Sequence, residues 1–176
     1  MNERQLIDGC KRGERRAQRE LYETYARKMM TVCLRYVNDR ETAHDLLQDG
    51  FVRVFTHIDA YQGIGSLEGW MRKIFVNEAL GYLRKADILR EAVDLEDAVE
   101  LTQTDSSAVS DMAAAELMEL VRALPMGFRT VFNLFAIEGY SHKEIGEMVR
   151  ITESTSRSQY TRAKQWLQRK IKETYE

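Results

Sequence analysis

Gly139-Tyr-Ser-His-Lys-Glu-Ile-Gly-Glu-Met-Val-Arg-Ile-Thr-Glu-Ser-Thr-Ser-Arg-Ser-Gln-Tyr-Thr-Arg-Ala-Lys-Gln-Trp-Leu-Gln-Arg169 is the stretch on which the fold turns. Ser141 is a natural N-cap, and Glu144 three residues on completes a capping box. Ile145, Met148 and Val149 give the helix that follows one apolar face. Thr152 caps a second helix after a gap of a few residues, and Gly146 is a small residue where the two helices would cross. Two short helices, a tight turn and a small crossing residue predict a helix-turn-helix.

At about 100° per residue, the second helix separates into two faces. Ser156, Tyr160, Ala163, Trp166, Leu167 and Ile171 turn inward. Ser154, Arg157, Ser158, Thr161, Arg162, Gln165 and Arg169 turn outward. The outer face reads as polar and basic without a carboxylate, which suits phosphates and base edges. Arg150 to Lys172 holds seven Lys/Arg against one Glu. A merely solvated amphipathic helix usually carries mixed signs, so the pattern favours DNA reading.

Moving toward the N-terminus, a helix over about Phe128–Glu138 has Val131, Phe132, Leu134 and Phe135 as core, with Gly139 as its C-cap. Ala113–Leu124 precedes it (Leu117, Leu120, Val121, Leu124) and is stopped by Pro125. The stretch before that changes character. Asp87–Met112 holds eight acidic residues against Arg90 alone, while Met1–Ala86 has 15 basic and 12 acidic residues and Ala113–Glu176 has 10 and 8. Two mildly basic lobes, 1–86 and 113–176, are therefore expected on either side of a flexible acidic linker, 87–112. Extended, its roughly 25 residues reach about 80 Å, enough for sites two turns of DNA, about 70 Å, apart.

In the first lobe a short helix runs to about Gly13, with Leu6, Ile7 and Cys10 as its apolar edge. A long one over Glu14–Val37 buries Ala17, Leu21, Tyr25, Met29, Val32 and Tyr36. Asp39 caps a third, about Arg40–Ala60. On it Ala43, Leu46, Leu47, Gly50, Phe51, Val54 and Ile58 share one side, and Glu41, Asp45, Gln48, Asp49, Val52 and Thr56 the other. Asp45 and Asp49 are four apart, a like-charge adjacency that costs the helix a little. By itself that face is either a solvated acidic surface or a dock for a basic partner. After the loop Tyr61–Gly65, Ser66 caps a helix to about Ala86 that is apolar over most of its circumference. One window differs: Trp70, Lys73, Asn77, Gly81 and Arg84 lie within about 80° of each other. An aromatic, cations and an amide suit single-stranded nucleic acid; a tryptophan at a core edge beside ordinary polar residues is the other reading.

Composition excludes several classes. The chain has 176 residues, net charge −2 and one proline. With scarce strand patterning, this predicts an all-α fold of two small helical domains. Cys10 and Cys33 are isolated, which suits a reducing cytoplasm. No apolar run approaches membrane-spanning length and no signal peptide opens the chain. His44, His57 and His142 stand in different elements without metal-ligand spacing, and no nucleophile elbow, Walker loop or paired-cysteine motif occurs. No catalysis, cofactor or metal is expected.

The order of parts resembles bacterial RNA polymerase sigma factors of the compact extracytoplasmic-function group, over nearly the whole chain. In the first lobe the resemblance rests on Asp45-Leu-Leu-Gln-Asp-Gly-Phe-Val-Arg-Val-Phe55 and Trp70-Met-Arg-Lys-Ile-Phe-Val-Asn77. In the second it rests on Leu124-Pro125, Arg129, Val131-Phe132, Glu138-Gly139-Tyr140-Ser141, Glu144-Ile145-Gly146, Thr155, Ser158 and Arg162-Ala163. It implies a cytoplasmic, nucleoid-associated initiation factor that binds core polymerase, recognises −35 and −10 promoter elements and promotes melting. Its partners would be the β′ clamp helices, the β flap, promoter DNA and an anti-sigma factor, without membrane insertion. Asp45, Gln48, Asp49 and Phe51 lie where the family docks on the clamp helices. Gly63, Ser66, Trp70, Lys73, Asn77 and Arg84 fall in the part that opens the −10 element and captures unstacked bases. Lys143, Ser154, Arg157, Ser158, Thr161 and Arg162 match the −35-reading surface. The acidic linker would lie along the RNA exit path. Two positions depart from the pattern. Glycine commonly stands in place of Arg150, a residue that tolerates positive φ poorly. Valine commonly stands in place of Ser156, whose inward hydroxyl needs a partner. The competing class is a free-standing helix-turn-helix regulator whose first lobe senses a ligand or dimerises; a helical adaptor without a DNA role leaves the basic face unexplained.

Overall fold

A computed structural model of the chain describes residues 1–85 and 114–175, and the expected linker 87–112 lies outside the described residues. Among the described residues all regular structure is helical, as expected. Contacts group the chain into two compact units, Met1–Tyr82 and Leu83–Glu176.

The first unit starts with α1 (Glu3–Lys11), held by a capping box between Asn2 and Gln5 that the sequence reading passed over. α2 (Arg15–Tyr36) buries Ala17, Leu21, Met29, Val32, Cys33 and Tyr36. α3 (Arg40–His57) opens on Asp39, whose Oδ2 accepts from the Thr42 N–H at 2.7 Å. The Thr42 hydroxyl donates to the same oxygen, and these bonds, the hydroxyl's foremost, favour the charged form and hold the Asp39 carboxyl below its ordinary range. α3 gives way to a 3-10 turn, Ile58–Ala60, so the expected continuous helix to Ala60 tightens over its last three residues.

α4 (Leu67–Lys85) follows, its first turn capped by Ser66 Oγ accepting from Gly69 N–H at 3.0 Å. Leu67, Met71, Phe75, Val76, Ala79 and Leu80 are essentially inaccessible, as its apolar circumference predicts. Fully burying each of the larger ones stabilises the fold by about 1.5–3 kcal/mol. Phe75 meets Phe51 edge to face, with centroids 5.2 Å apart, and its ring closes on Gly50, where a Cβ would sit 2.2 Å from it. A side chain at position 50 would push α3 and α4 apart.

The second unit contains α5 (Ala114–Ala123), then α6 (Met126–Phe132) starting just after Pro125. A π turn over Asn133–Ile137 continues α6, with the Glu138 N–H donating to the Asn133 carbonyl at 2.9 Å. The regular helix expected over Phe128–Glu138 thus widens in its second half. α7 (His142–Val149) and α8 (Glu153–Tyr175) complete the unit. Val121, Leu124, Phe128, Ala163 and Leu167 form the core between α5, α6 and α8, with Leu120, Phe132 and Trp166 packed against it.

Cys10 and Cys33 are free and buried; burial pushes the Cys33 thiol up to about 12, so neither is poised as a nucleophile.

Candidate nucleic-acid interface

The turn between α7 and α8 is built as expected and shows how each departure is accommodated. Ser141 Oγ accepts from Glu144 N–H at 3.2 Å, and Glu144 Oε2 accepts from Ser141 N–H at 2.8 Å. The Ser141 N–H and, at 2.8 Å, the Ser141 hydroxyl both donate to the Glu144 carboxylate and hold it below its ordinary value. α7 stops at Arg150, which takes the left-handed conformation, φ 59° and ψ 44°, that most side chains avoid. The Ile151 carbonyl then passes so near Gly146 that a Cβ there would lie 2.7 Å from it. Thr152 Oγ1 accepts from Thr155 N–H at 3.0 Å and starts α8.

Ser156 is wholly buried, and its hydroxyl finds the partner it needs: Oγ lies 2.9 Å from His142 Nδ1. The His142 ring is stacked on Phe135 at 4.2 Å and 9°, and Tyr160 leans on Phe135 at 4.6 Å. A serine–histidine bond inside an aromatic cluster therefore seats the first turn of α8 on α7. Angular position marks Ser156 as a group in need of a partner but does not point to His142, which lies 14 residues away. Burial, with Arg157 nearby, holds His142 below its ordinary value of 6.5.

On the outer side, Lys143, Ser154, Arg157, Ser158 and Thr161 are exposed, and Arg162 is half-buried. One correction applies: this face is not free of carboxylate. Glu153 forms an ion pair with Arg157, one turn along α8. Helical projection puts the two about 40° apart, near enough for long side chains to meet on the surface. Gln159, omitted from the inward set, is buried at 1% exposure.

On α3 the division is as read. Asp45, Gln48, Asp49 and Val52 are exposed, while Ala43, Leu46, Leu47, Gly50, Phe51 and Val54 are buried. Among the described residues Asp45 and Asp49 make no ion pair. Gln48 Nε2 lies 3.3 Å from His44 Nδ1. Phe51 is at 3% exposure between Tyr22, Phe55 and Phe75, and it supports the acidic surface from within. Its angular position had already put it on the inner side.

The loop before α4 has Gly63 and Gly65 at positive φ, 74° and 76°, and presents Ile64 at 80% exposure. Tyr61 fastens it: its hydroxyl donates to the Gly65 carbonyl at 2.8 Å, and its carbonyl accepts from Lys11 Nζ at 3.1 Å. Tyr61 also supports Trp70, with ring centroids 5.5 Å apart. Trp70, Ile74 and Asn77 line one wall of an open cleft of about 320 Å³, with His57 and Ala60 lining it from the end of α3 and the turn after it. The Arg53–Glu78 ion pair lies at its rim. Trp70 and Asn77 are thus brought together in one cleft. Lys73 is exposed outside its lining, Ser66 is engaged as the cap of α4, and Arg84 lies in that helix's last turn. His57 is the cleft residue that the sequence reading set aside; only the fold brings it beside Asn77.

Comparison with known proteins matches the same parts. The Sigma-70 region 2 family model covers residues 21–88, and the Sigma-70, region 4 model covers residues 114–167. The ECF RNA polymerase sigma-E factor of Haemophilus influenzae is 26% identical over 182 residues, covering 97% of this chain and 96% of that protein. The RNA polymerase sigma-H factor of Pseudomonas aeruginosa is 23% identical over 174 residues, covering 93% and 90%. Among solved structures, the sigma factor RpoE in complex with the anti-sigma factor NepR from Bartonella quintana matches in fold. Its TM-score is 0.51 at 18% identity, covering 90% of this chain and 98% of that one. The two compact helical units and the matched regions make the chain a member of the sigma-70 family of RNA polymerase sigma factors. Within that family it is a sigma factor of the extracytoplasmic-function type. Among the described residues no helix is long and apolar enough to cross a membrane.

Proposed function

We propose that this sigma factor works as three parts: residues 1–86 bind core polymerase and open the −10 element, 87–112 connect, and 113–176 read the −35 element. The exposed carboxylates Asp45 and Asp49, with Gln48, dock on the β′ clamp helices. Among the described residues neither has an ion partner, which leaves the charge available to a basic surface. The outer face of α8, with Arg157, Ser158, Thr161 and Arg162, enters the −35 major groove, flanked by Ser154 and by Lys143 of α7. Gly63, Ser66, Trp70, Lys73, Asn77 and Arg84 serve the −10 element. Trp70 and Asn77 hold an unstacked base of the separated strand, while Ser66 acts through the geometry of the loop that it caps. The protein acts in the bacterial cytoplasm without catalysis or cofactor of its own, and an anti-sigma factor binds it, as the sigma factor RpoE is found in complex with the anti-sigma factor NepR.

The observation that carries this reading is the coexistence of two outer faces of opposite charge, the α3 carboxylates, which have no ion partner among the described residues, and the basic face of α8. An autonomous regulator needs only the second. The test is promoter opening by Trp70→Ala and Asn77→Ala in the holoenzyme. Both are expected to impair open-complex formation more than initial promoter binding, and a pre-melted bubble should restore part of the loss. Failure of the bubble to restore any of it would remove the base-capture assignment.

A further inference from the structure

The loop before α4 is held at its base and open around its tip. Gly63 and Gly65 adopt φ of 74° and 76°, and a Cβ on either would meet no heavy atom within 4 Å. Ile64 between them is 80% exposed. Neighbouring side chains therefore do not pack the tip, and glycine backbone has the widest choice of other shapes once its restraints are removed. An open cleft of about 420 Å³ lies between the loop and α1, with Ile7 and Asp8 on one side and Gln62 and Gly63 on the other. Lys11, exposed in the last turn of α1, bridges the two elements: its Nζ donates to the Tyr61 carbonyl at 3.1 Å. Tyr61 is buried, its ring rests against Trp70, and its hydroxyl donates to the Gly65 carbonyl at 2.8 Å. Tyr61 thus ties the start of the loop to its end, and Lys11 ties Tyr61 to α1. A lysine at a helix C-terminus complements the helix dipole without any partner. The bond to a carbonyl 50 residues away is a further feature, made at the expense of side-chain freedom.

We infer that Lys11 is a positioning residue for promoter opening, which through Tyr61 keeps the loop 61–65 in the shape that receives the separated strand. The inference rests on the assignment of this loop to the −10 element and adds to it the means by which the loop is made ready. Ordering a glycine-rich loop on DNA costs conformational entropy, and a loop ordered in advance has already met that cost. The Lys11 cation serves a carbonyl of its own chain and touches no phosphate. Its removal weakens the hold on separated strands, leaves duplex binding as it was, and does not alter the release of counterions from DNA.

The experiment uses holoenzyme reconstituted with core polymerase and two promoter fragments. One is fully duplex and kept closed at low temperature; the other has a pre-melted −10 bubble. Each is titrated at several salt concentrations. Lys11→Met keeps the aliphatic stem and a good helix former while removing the donor. Bubble affinity is expected to fall about 2- to 12-fold, the factor that one net hydrogen bond is worth. Duplex affinity and the salt slope on the bubble should not change, and amide hydrogen exchange of residues 62–65 in the full free chain should quicken. A salt slope lower by about one unit would place Lys11 on a phosphate and overturn the inference. Unchanged exchange in the loop, or unchanged bubble affinity, would overturn it too. Trp70→Ala on the same fragments separates this failure from that of the underlying reading. Bubble binding weakened by Trp70→Ala and not by Lys11→Met removes the role of Lys11 alone, whereas bubble binding indifferent to both removes the −10 assignment as well.

Discussion

The outer faces of α3 and α8 are built alike and charged oppositely. Each helix buries one apolar stripe and presents a polar surface, and in each the backbone geometry is set by a capping side chain, Asp39 or Thr152. On α3 the exposed Asp45 and Asp49 have no counter-charge among the described residues. On α8, Arg157 is held by Glu153. Uncompensated like charges four residues apart cost helix stability, so α3 bears a small standing cost that a basic partner would relieve. The cation on α8 is partly compensated already, and DNA must compete with Glu153 for it. If the two faces have the proposed roles, the difference teaches that the acidic face would meet its partner with its charge already free, whereas the basic face would first exchange Glu153 for a stronger anion.

The largest effect should come from reversing the acidic face. Asp45→Arg together with Asp49→Arg is expected to abolish co-purification with core polymerase while leaving helical circular dichroism intact, since both side chains are exposed. Undiminished binding would end the docking assignment and with it the contrast between the faces.

Next in size are the two arginines of the basic face. Arg157 lies in the N-terminal half of α8, the part of a recognition helix that meets base edges. Arg157→Ala should cost about 1–3 kcal/mol of promoter binding and relax the preference at one base pair of the −35 element. Arg162, a turn and a half later, is expected to meet the backbone, so Arg162→Ala should weaken all sequences alike and lower the salt slope by roughly one unit. Promoter-selection profiles of the two mutants at two salt concentrations separate these outcomes.

A smaller effect concerns the seat of α8. Because His142 is held below 6.5 in the folded chain, the unfolded chain takes up that proton first. The corresponding stability is present above pH 6.5 and is lost as pH falls from there through the folded-state value. Thermal unfolding of the full chain between pH 8 and 5 should show this loss, and His142→Gln should make it shallower. An equally steep profile in the mutant would place the acid sensitivity elsewhere. Smallest of all is the release of Arg157. Glu153→Ala should raise DNA affinity of the holoenzyme by less than about fivefold, as suits an exposed pair whose net worth is small. A fall in affinity would show that Glu153 supports DNA binding and does not restrain Arg157.

Much of this was legible beforehand because it depends on local rules. Asp39, Ser66, Ser141 with Glu144 and Thr152 are caps whose partners lie within three residues, so spacing alone finds them. The apolar stripe of α3, from Ala43 to Ile58, follows from angular position. What escaped depends on distance or on side-chain reach. The Ser156–His142 bond spans 14 residues and the cleft brings His57 to Asn77 from another helix, so neither pair leaves a periodic signal. Glu153 projects onto the edge of the basic face, and only the length of its side chain and that of Arg157 puts it there. The π turn at Asn133–Ile137 keeps an apolar pattern that a regular helix would also show, so its extra residue is silent in the sequence. Phe51, which the resemblance places in the docking surface, packs inward as its angular position predicts.

The central claim is that the two faces act together through polymerase, and transcription in vitro tests it most directly. The purified chain would be mixed with core polymerase on a library of genomic fragments, with DNA binding by the chain alone measured on the same library. The account predicts new transcripts from a defined set of promoters only when both proteins are present, and no tight sequence-specific binding by the chain alone. Nanomolar binding of the isolated chain to a symmetric site, without any gain in transcription by core, would contradict it.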